Sequence, residues 1–308
     1  MEIALQFGLL VLGFVMLAKG ADWFVEGAAG IAMRFGIPQL VIGLTIVAMG
    51  TSAPEAAVSI AAAVKGNADI TIGNIVGSNI LNILIILGLA ASIVPIAVAR
   101  STVRIEIPFM IGVTALLFYQ GRDGSISLAD GGVLMVAFAA YMMYLYTMAM
   151  KSNVDSDLEE SGLPLGRCLL GAVGGLALII AGSNVTVGAA TSIATYAGLS
   201  ERFIGLTIVA LGTSLPELFT SVAAARRGNA DIAIGNIVGS NIFNILFVVG
   251  LSSLIIDIPF ASAFNFDTYV ALGAAVLLWL CVLRTQRLQR WAGALMLVCY
   301  AAYLGYIL

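Results

Sequence analysis

The sequence contains no histidine, and only 10% of its 308 residues are charged. The lack of histidine removes the commonest transition-metal ligand and the usual proton shuttle. The low charge excludes a soluble domain of this length, which needs far more charge to cover its surface. The three cysteines, Cys168, Cys281 and Cys299, lie in or beside apolar segments without metal-ligand spacing. We interpret them as packing residues rather than as a disulfide framework.

Apolar residues, in contrast, make up 61% of the chain, and the mean hydropathy is +1.06. They form runs as long as the roughly 20 residues that cross a bilayer. Residues 131–150 and 291–308, for example, contain no charge. The first apolar stretch has no basic segment before it, so we interpret it as a span rather than a signal peptide. An all-α integral membrane protein is therefore predicted.

Hydropathy and turn signals predict ten membrane spans. Their approximate bounds are 3–30, 39–64, 70–97, 105–120, 130–150, 166–195, 201–225, 232–256, 267–283 and 291–308. We expect an N-terminal unit at 1–150 and a C-terminal unit at 166–308, joined by an acidic linker at 151–165. With the N-terminus outside, ten Lys and Arg residues fall on the cytoplasmic side and three outside. The positive-inside rule thus predicts a cell-membrane protein with both termini outside and the linker in the cytoplasm.

Two long segments occur twice at one constant offset. Residues 42–55 read IGLTIVAMGTSAPE and residues 204–217 read IGLTIVALGTSLPE. Residues 65–84 read KGNADITIGNIVGSNILNIL and residues 227–246 read RGNADIAIGNIVGSNIFNIL. Because each unit has five predicted spans, the second must enter the membrane in the opposite sense. Two inverted-topology five-helix repeats are therefore predicted, with a binding site between them at mid-membrane.

The second predicted span is interrupted by Thr51, Ser52, Pro54 and Glu55. Pro54 lacks an N–H and frees the carbonyl of Gly50, which is costly in lipid unless the carbonyl lines a cavity or binds something. Carbonyls, hydroxyls and a carboxylate form an all-oxygen set that suits hard cations such as calcium or sodium. The seventh span repeats the arrangement with Gly212, Thr213, Ser214, Pro216 and Glu217.

The third predicted span carries a polar stripe. Asn74, Ser78 and Asn82 are four residues apart, so they share one helix face. Gly73 and Gly77 allow close approach of another helix. The eighth span repeats this pattern with Asn236, Ser240, Asn244, Gly235 and Gly239. We expect these two faces to complete the oxygen-lined site.

Glu55 and Glu217 are the two carboxylates predicted near the bilayer centre, where a charge is costly and usually functional. Facing each other, they would neutralise one divalent cation or two monovalent ones, which is a physical basis for exchange. In the first span, Lys19, Asp22 and Glu26 have no charged counterpart in the sixth. We interpret them as a local ion pair, with Lys19 and Asp22 at i,i+3 spacing.

The doubled GTSxPE and GNxxGSN motifs resemble the cation/calcium exchanger superfamily, most closely its prokaryotic sodium/calcium exchangers. The resemblance covers essentially the whole chain. It implies a core of the second, third, seventh and eighth helices, with the long first and sixth helices sliding across it. It also implies that Glu55 and Glu217 are central ligands for calcium and sodium. The further ligands it implies are Thr51, Ser52, Thr213, Ser214, Ser78, Ser240, Asn82, Asn244 and the carbonyls of Ala48 and Ala210.

One position departs from the archaeal exchanger pattern, which has asparagine in the third span and aspartate at the matching place in the eighth. This chain has Asn82 and Asn244. An amide offers an oxygen but neither negative charge nor a proton site. More than two sodium ions would then leave a net positive centre. The sodium stoichiometry, and sodium as the counter-ion, stay open at this point.

The leading prediction is an electrogenic antiporter that exchanges Ca²⁺ for Na⁺ by alternating access. A Ca²⁺/H⁺ antiporter using the same glutamates is the alternative. A cation channel is a remote one, because broken helices and oxygen ligands also build filters. The symmetric polar set and the lack of histidine argue against an enzyme. We expect a lipid bilayer around the chain, Ca²⁺ and Na⁺ (or H⁺) as cargo, no tightly bound cofactor, no nucleic acid and no obligate protein partner.

Overall fold

A computed structural model describes residues 2–66, 68–152, 164–198 and 210–307. Within these ranges, eight helices are long and apolar enough to cross a membrane, or nine if one bent pair counts as a single span. The predicted span at 201–225 lies partly outside the described residues, and so does most of the predicted linker at 151–165. The all-helical membrane architecture is confirmed, and the count of ten stays a prediction.

The elements are numbered in chain order. The helices are α1 Glu2–Arg34, α2 Gln39–Thr51, α3 Ala53–Val64, α4 Ile70–Ile93, α5 Thr102–Asp123, α6 Leu128–Ser152, α7 Leu165–Tyr196, α8 Ala210–Thr213, α9 Leu215–Arg226, α10 Ala230–Ile255, α11 Ala263–Leu283 and α12 Arg290–Ile307. The strands are β1 Ile96–Ala97, β2 Ser125–Ile126, β3 Ile258–Pro259 and β4 Arg287–Leu288.

The helices α2 and α3, which are long and apolar enough to cross a membrane only when taken together, are bent by 51° at Ser52. Ser52 leaves the helical conformation, with φ −81° and ψ 5°. Pro54 stands in the first turn of α3, where its missing N–H costs nothing. The break between α8 and α9 has the same form, with φ −91° and ψ 3° at Ser214 and Pro216 in the first turn. The predicted interruptions of both spans are therefore present.

The helices α4 and α10 are the centre of the molecule. In their most apolar windows, 78% of the residues of α4 and 94% of those of α10 are buried inside the protein, against 17% for α1, α6 and α12. Both central helices are apolar around most of their circumference, which is typical of helices enclosed by other helices. The polar stripes of the GNxxGSN segments consequently lie in the protein interior and not against lipid.

The long helices α1 and α7 pack antiparallel through glycines that recur every seven residues. A Cβ atom added to Gly20 would lie 2.9 Å from the carbonyl oxygen of Gly175. At Gly27 it would lie 2.3 Å from the backbone nitrogen of Ala172. Small residues let the two backbones approach in this way, which gives membrane helices their packing energy.

The charges on α1 do not form the pair that their spacing predicted, so that prediction is wrong. Asp22 contacts the Nε of Arg227 at 3.3 Å, and Glu26 contacts its Nη1 at 3.2 Å, while Lys19 is exposed. Arg227 directly follows α9. Its planar guanidinium group carries several N–H donors, so it can bind two carboxylates that lie one helical turn apart. The ion pairs therefore join α1 to α9.

Two short antiparallel ribbons link the N-terminal and C-terminal parts of the chain. In one, Ile96 of β1 pairs with Leu288 of β4. In the other, Ile126 of β2 pairs with Ile258 of β3. At the offset of the sequence repeat, β1 corresponds to β3 and β2 corresponds to β4. Each ribbon therefore pairs the first strand of one unit with the second strand of the other unit. The molecule thus has equivalent contacts on two sides of its core.

Candidate cation site

Two buried glutamates stand in the first turns of α3 and α9. Glu55 and Glu217 are each 1% exposed. Each glutamate directly follows a proline, so the helix break determines the position of the carboxylate in the first turn of its helix. A helix N-terminus favours a negative charge because its free N–H groups carry partial positive charge. The interrupted spans therefore place both carboxylates at the ends of helices and inside the protein.

Each carboxylate receives a hydroxyl from the other half of the molecule. Ser52 Oγ donates to Glu217 Oε1 at 2.8 Å. Ser214 Oγ donates to Glu55 Oε1 at 3.4 Å. The two GTSxPE segments thus contact each other through these serine and glutamate side chains.

Four of the buried side-chain oxygens that have no hydrogen-bond partner in the described part of the chain belong to predicted ligands. They are Glu55 Oε2, Glu217 Oε2, Asn82 Oδ1 and Asn244 Oδ1. Buried acceptors are nearly always satisfied in native proteins, so an exception needs an explanation. An oxygen without a donor is what a hard cation requires. Among the described residues, no three His, Cys, Asp or Glu side chains cluster, so two carboxylates and neutral oxygens make up the set.

The amides of Asn82 and Asn244 are held by a reciprocal network between α4 and α10. Asn82 Nδ2 donates to Asn241 Oδ1 at 2.9 Å, and Asn244 Nδ2 donates to Asn79 Oδ1 at 3.1 Å. Asn79 and Asn241 each donate to the other's backbone carbonyl, at 3.2 and 3.1 Å. A π-helical turn begins at Asn82 and another at Asn244. Such turns are frequent at functional sites.

Asn74 and Asn236 brace the broken helices. Asn74 Nδ2 donates to Ser59 Oγ at 2.9 Å and to the Glu55 carbonyl at 3.3 Å. Asn236 Nδ2 makes the equivalent bonds to Ser221 Oγ and to the Glu217 carbonyl, at 2.9 and 3.4 Å. Their amide donors therefore hold the glutamate-bearing helices against α4 and α10.

The remaining predicted ligands lie on α2, α4, α8 and α10. Thr51 is fully buried and its hydroxyl lies 3.0 Å from Asn236 Oδ1. Ser240 Oγ donates to the Ala48 carbonyl at 3.4 Å. Ser78 is buried on α4, and Thr213 is half-buried. Ala210 is the first described residue of α8.

The two predicted glycine carbonyls differ in their surroundings. Gly212 O accepts a bond from Ser183 Oγ of α7 at 2.7 Å. Gly50 packs near Phe24 and Leu176. A cavity of about 710 Å³ lies beside this part of the site, lined by residues of α3, α7 and α8 that include Pro54, Ser183 and Thr213. One face of the GTSLPE segment is therefore reached from a cavity.

Several polar residues of the site were not predicted from the sequence. Asn79 and Asn241 belong to the repeated GSN triplet, so their repetition was a signal. Ser183 is not repeated, because the equivalent position of the first unit is Ala21, so no such signal marked it. Apart from these site residues, a buried carboxylate on α5, Glu106, was also missed. It accepts a bond from the Tyr144 hydroxyl of α6.

Comparison with known proteins agrees with this geometry. The family model described as sodium/calcium exchanger protein matches residues 5–147 and 168–308. The chain is 40% identical over 305 residues to the putative antiporter CaxA of Alkalimonas amylolytica, covering 96% of both chains. It is 33% identical over 345 residues to the sodium/calcium exchanger MaX1 of Methanosarcina acetivorans, covering 98% of both.

A solved structure of the sodium-calcium exchanger NCX_Mj, soaked with zero Na⁺ and Ca²⁺, superposes with a TM-score of 0.87. The sequence identity is 33%, and the match covers 99% of this chain and 100% of that one. The resemblance that the doubled motifs indicated is confirmed over almost the full length. The chain therefore belongs to the sodium/calcium exchanger protein family, whose members are membrane transporters.

Proposed function

We propose that this protein is an antiporter that exchanges Ca²⁺ for Na⁺ across the cell membrane by alternating access. The observation that carries the proposal is the pair of buried glutamates, each contacted by a serine of the other half and each with one oxygen lacking a donor. Two facing carboxylates in a low-dielectric interior attract cations strongly, because little water screens them. The likeness to MaX1 and NCX_Mj, both sodium/calcium exchangers by name, supports sodium as the partner ion.

In this proposal Glu55 and Glu217 bind every transported cation. The other oxygens come from the hydroxyls of Thr51, Ser52, Thr213, Ser214, Ser78 and Ser240, the amides of Asn82 and Asn244, and the carbonyls of Ala48 and Ala210. One Ca²⁺ or two Na⁺ balances the two carboxylates, whereas a third Na⁺, which electrogenic exchange would need, leaves a net positive site. Either load leaves no bare charge, so one can replace the other.

Alternating access would come from two inverted five-helix repeats with ten spans in total. The pair α1 and α7 would move across the core of α2–α4 and α8–α10. The glycine packing between α1 and α7 supports their moving as one body. Both ends of the chain would lie outside the cell.

A proton is the second candidate for the partner ion. Asn244 is neutral, and no third carboxylate joins the two glutamates in the described part of the site. Two protons on Glu55 and Glu217 would balance the charge as well as two sodium ions do. This alternative uses the same site and the same movement.

The test is calcium uptake by sealed vesicles that contain the purified protein. An outward sodium gradient at fixed pH should drive uptake of radioactive calcium, and a pH gradient without sodium should not. Failure of sodium to stimulate uptake at fixed pH would contradict sodium coupling, and uptake driven by the pH gradient would establish the proton alternative. Calcium flux that needs neither ion on the other side would indicate a channel.

A further inference from the structure

We propose that Asn79 and Asn241 are positioning residues, which orient the amides of Asn82 and Asn244 so that their oxygens face the transported cation. The inference rests on the proposed function and adds to it a specific cause of cation affinity. Neither Asn79 nor Asn241 is among the ligands that the motifs imply. Both are buried, at 3% and 2% exposure, where a polar side chain needs partners.

The four asparagines form a closed network. Each of the two ligand amides donates its Nδ2 to the Oδ1 of a positioning residue on the opposite helix. Each positioning residue donates its own Nδ2 to the backbone carbonyl of the other. Because a backbone carbonyl only accepts, the Nδ2 of Asn79 and of Asn241 must point at it. Their Oδ1 atoms are therefore held at the other tip of each side chain, where they accept from Asn244 and Asn82.

The fixed acceptors decide how the ligand amides are oriented. An asparagine side chain has an acceptor at one tip and a donor at the other. Reversing Asn82 would bring its Oδ1 against Asn241 Oδ1, two acceptors without a proton between them. In the orientation found, Asn82 Oδ1 and Asn244 Oδ1 are left buried and without donors. A reversed amide would instead present an NH₂ group to the cation and repel it.

Asn244, the residue that departs from the archaeal pattern, is itself part of this network. The acceptor Asn79 Oδ1 requires a donor opposite it, and the Nδ2 of Asn244 supplies one. An ionised aspartate at that position would place two acceptors face to face. The neutral amide at 244 is thus part of the same orienting device as the amide at 82.

The test is a double-mutant cycle on the apparent KM for calcium in the vesicle assay. Asn79→Ala should raise that KM about tenfold, which is the effect of one oriented contact to a charge, while the maximal rate changes less. In an Asn244→Ala background, Asn79→Ala should change KM far less, since there is no amide left to orient. Asn241→Ala with Asn82→Ala forms the matched cycle. An unchanged KM in Asn79→Ala, or effects that simply add in the cycle, would overturn the inference.

Folding and the proposed function are checked in the same experiment. Gel filtration and wild-type vesicles are included in every run. If the alanine variants do not fold, Asn79→Leu and Asn241→Leu replace them, because leucine has about the size and shape of asparagine but no acceptor or donor. Their KM must then be raised as for alanine, and an unchanged KM would refute the inference. Absence of calcium uptake by the wild type would reject the proposed function instead.

Discussion

At the scale of single residues, the site is symmetric at its centre and asymmetric at its edge. The serine-to-glutamate bonds occur in both directions between the halves. The Ser183 bond to the Gly212 carbonyl has no equivalent, because Ala21 occupies the matching position. One broken span is therefore tied to its neighbouring long helix by a hydroxyl that the other lacks.

Replacing Ser183 by alanine should lower the stability of the protein by about 1 kcal/mol, because it leaves a buried carbonyl without its donor. Ser192 on the same helix is the matched control. Its hydroxyl bonds the Gly188 carbonyl of its own helix at an exposed position. Thermal unfolding in detergent should show a lower melting temperature for Ser183→Ala and none of that decrease for Ser192→Ala. Equal melting temperatures of the two variants would show that the α7–α8 bond contributes nothing.

The central residues were predictable, and their mutual contacts were not. A proline, a glutamate and two hydroxyl residues repeated at one offset indicated the candidate cation site directly. The choice of Asn74, Ser78 and Asn82 followed from four-residue spacing along one helix, which skips Asn79. Its role depends on Asn241, a residue 162 positions away, and appears only when α4 and α10 are placed together.

At the scale of elements, the close packing of α1 against α7 at Gly20 and Gly27, which we call the seam, depends on glycine. The seam was not predicted, because a recurring glycine shows a small side chain but not which helix will approach it. The ion pairs from α1 to Arg227 illustrate the same limit. Spacing on one helix favoured Lys19 as the partner of Asp22, whereas the tertiary contact with the end of α9 supplies a better donor.

Gly27→Ala should destabilise the protein by about 1–3 kcal/mol, the usual range for overpacking. Its Cβ would meet backbone atoms of Ala172 and Cys168, which cannot move aside as a side chain can. Gly8→Ala on the same helix has open space around the added atom and is the control. Alanine also has the better helix propensity there. Unfolding measurements should find a loss of stability for Gly27→Ala alone. An equal change in the free energy of unfolding of both variants would contradict the close packing at Gly27.

At the scale of the whole molecule, the two homologous units are joined by equivalent contacts on both sides of the core. The ribbons β1–β4 and β2–β3 and the asparagine network all connect one unit to the other. The repeat made this arrangement predictable in outline. The exchange of short strands between units was not predictable, because a two-residue strand carries no recognisable pattern.

The proposed inverted topology makes a testable statement about the two sides of the membrane. The surplus of Lys and Arg on one side predicts that the C-terminus lies outside and the linker inside. Alkaline phosphatase fused to the C-terminus should be active, and a fluorescent protein inserted between residues 151 and 165 should fluoresce. A C-terminus on the same side of the membrane as the linker would contradict an inverted pair of five-span units, and a cytoplasmic C-terminus would contradict the proposed orientation.

The central claim is that two glutamates from opposite halves bind the transported cation together. It is tested most directly by sodium-driven calcium uptake of Glu55→Gln and Glu217→Gln, with Glu106→Gln as the control. Glu106 is equally buried, but it accepts a bond from Tyr144, which a glutamine oxygen can also accept. We predict that the first two changes each reduce uptake about a hundredfold or more, since each removes half of the charge that attracts a divalent ion. The control should transport like the wild type. Wild-type uptake by folded, inserted Glu55→Gln and Glu217→Gln would contradict the account.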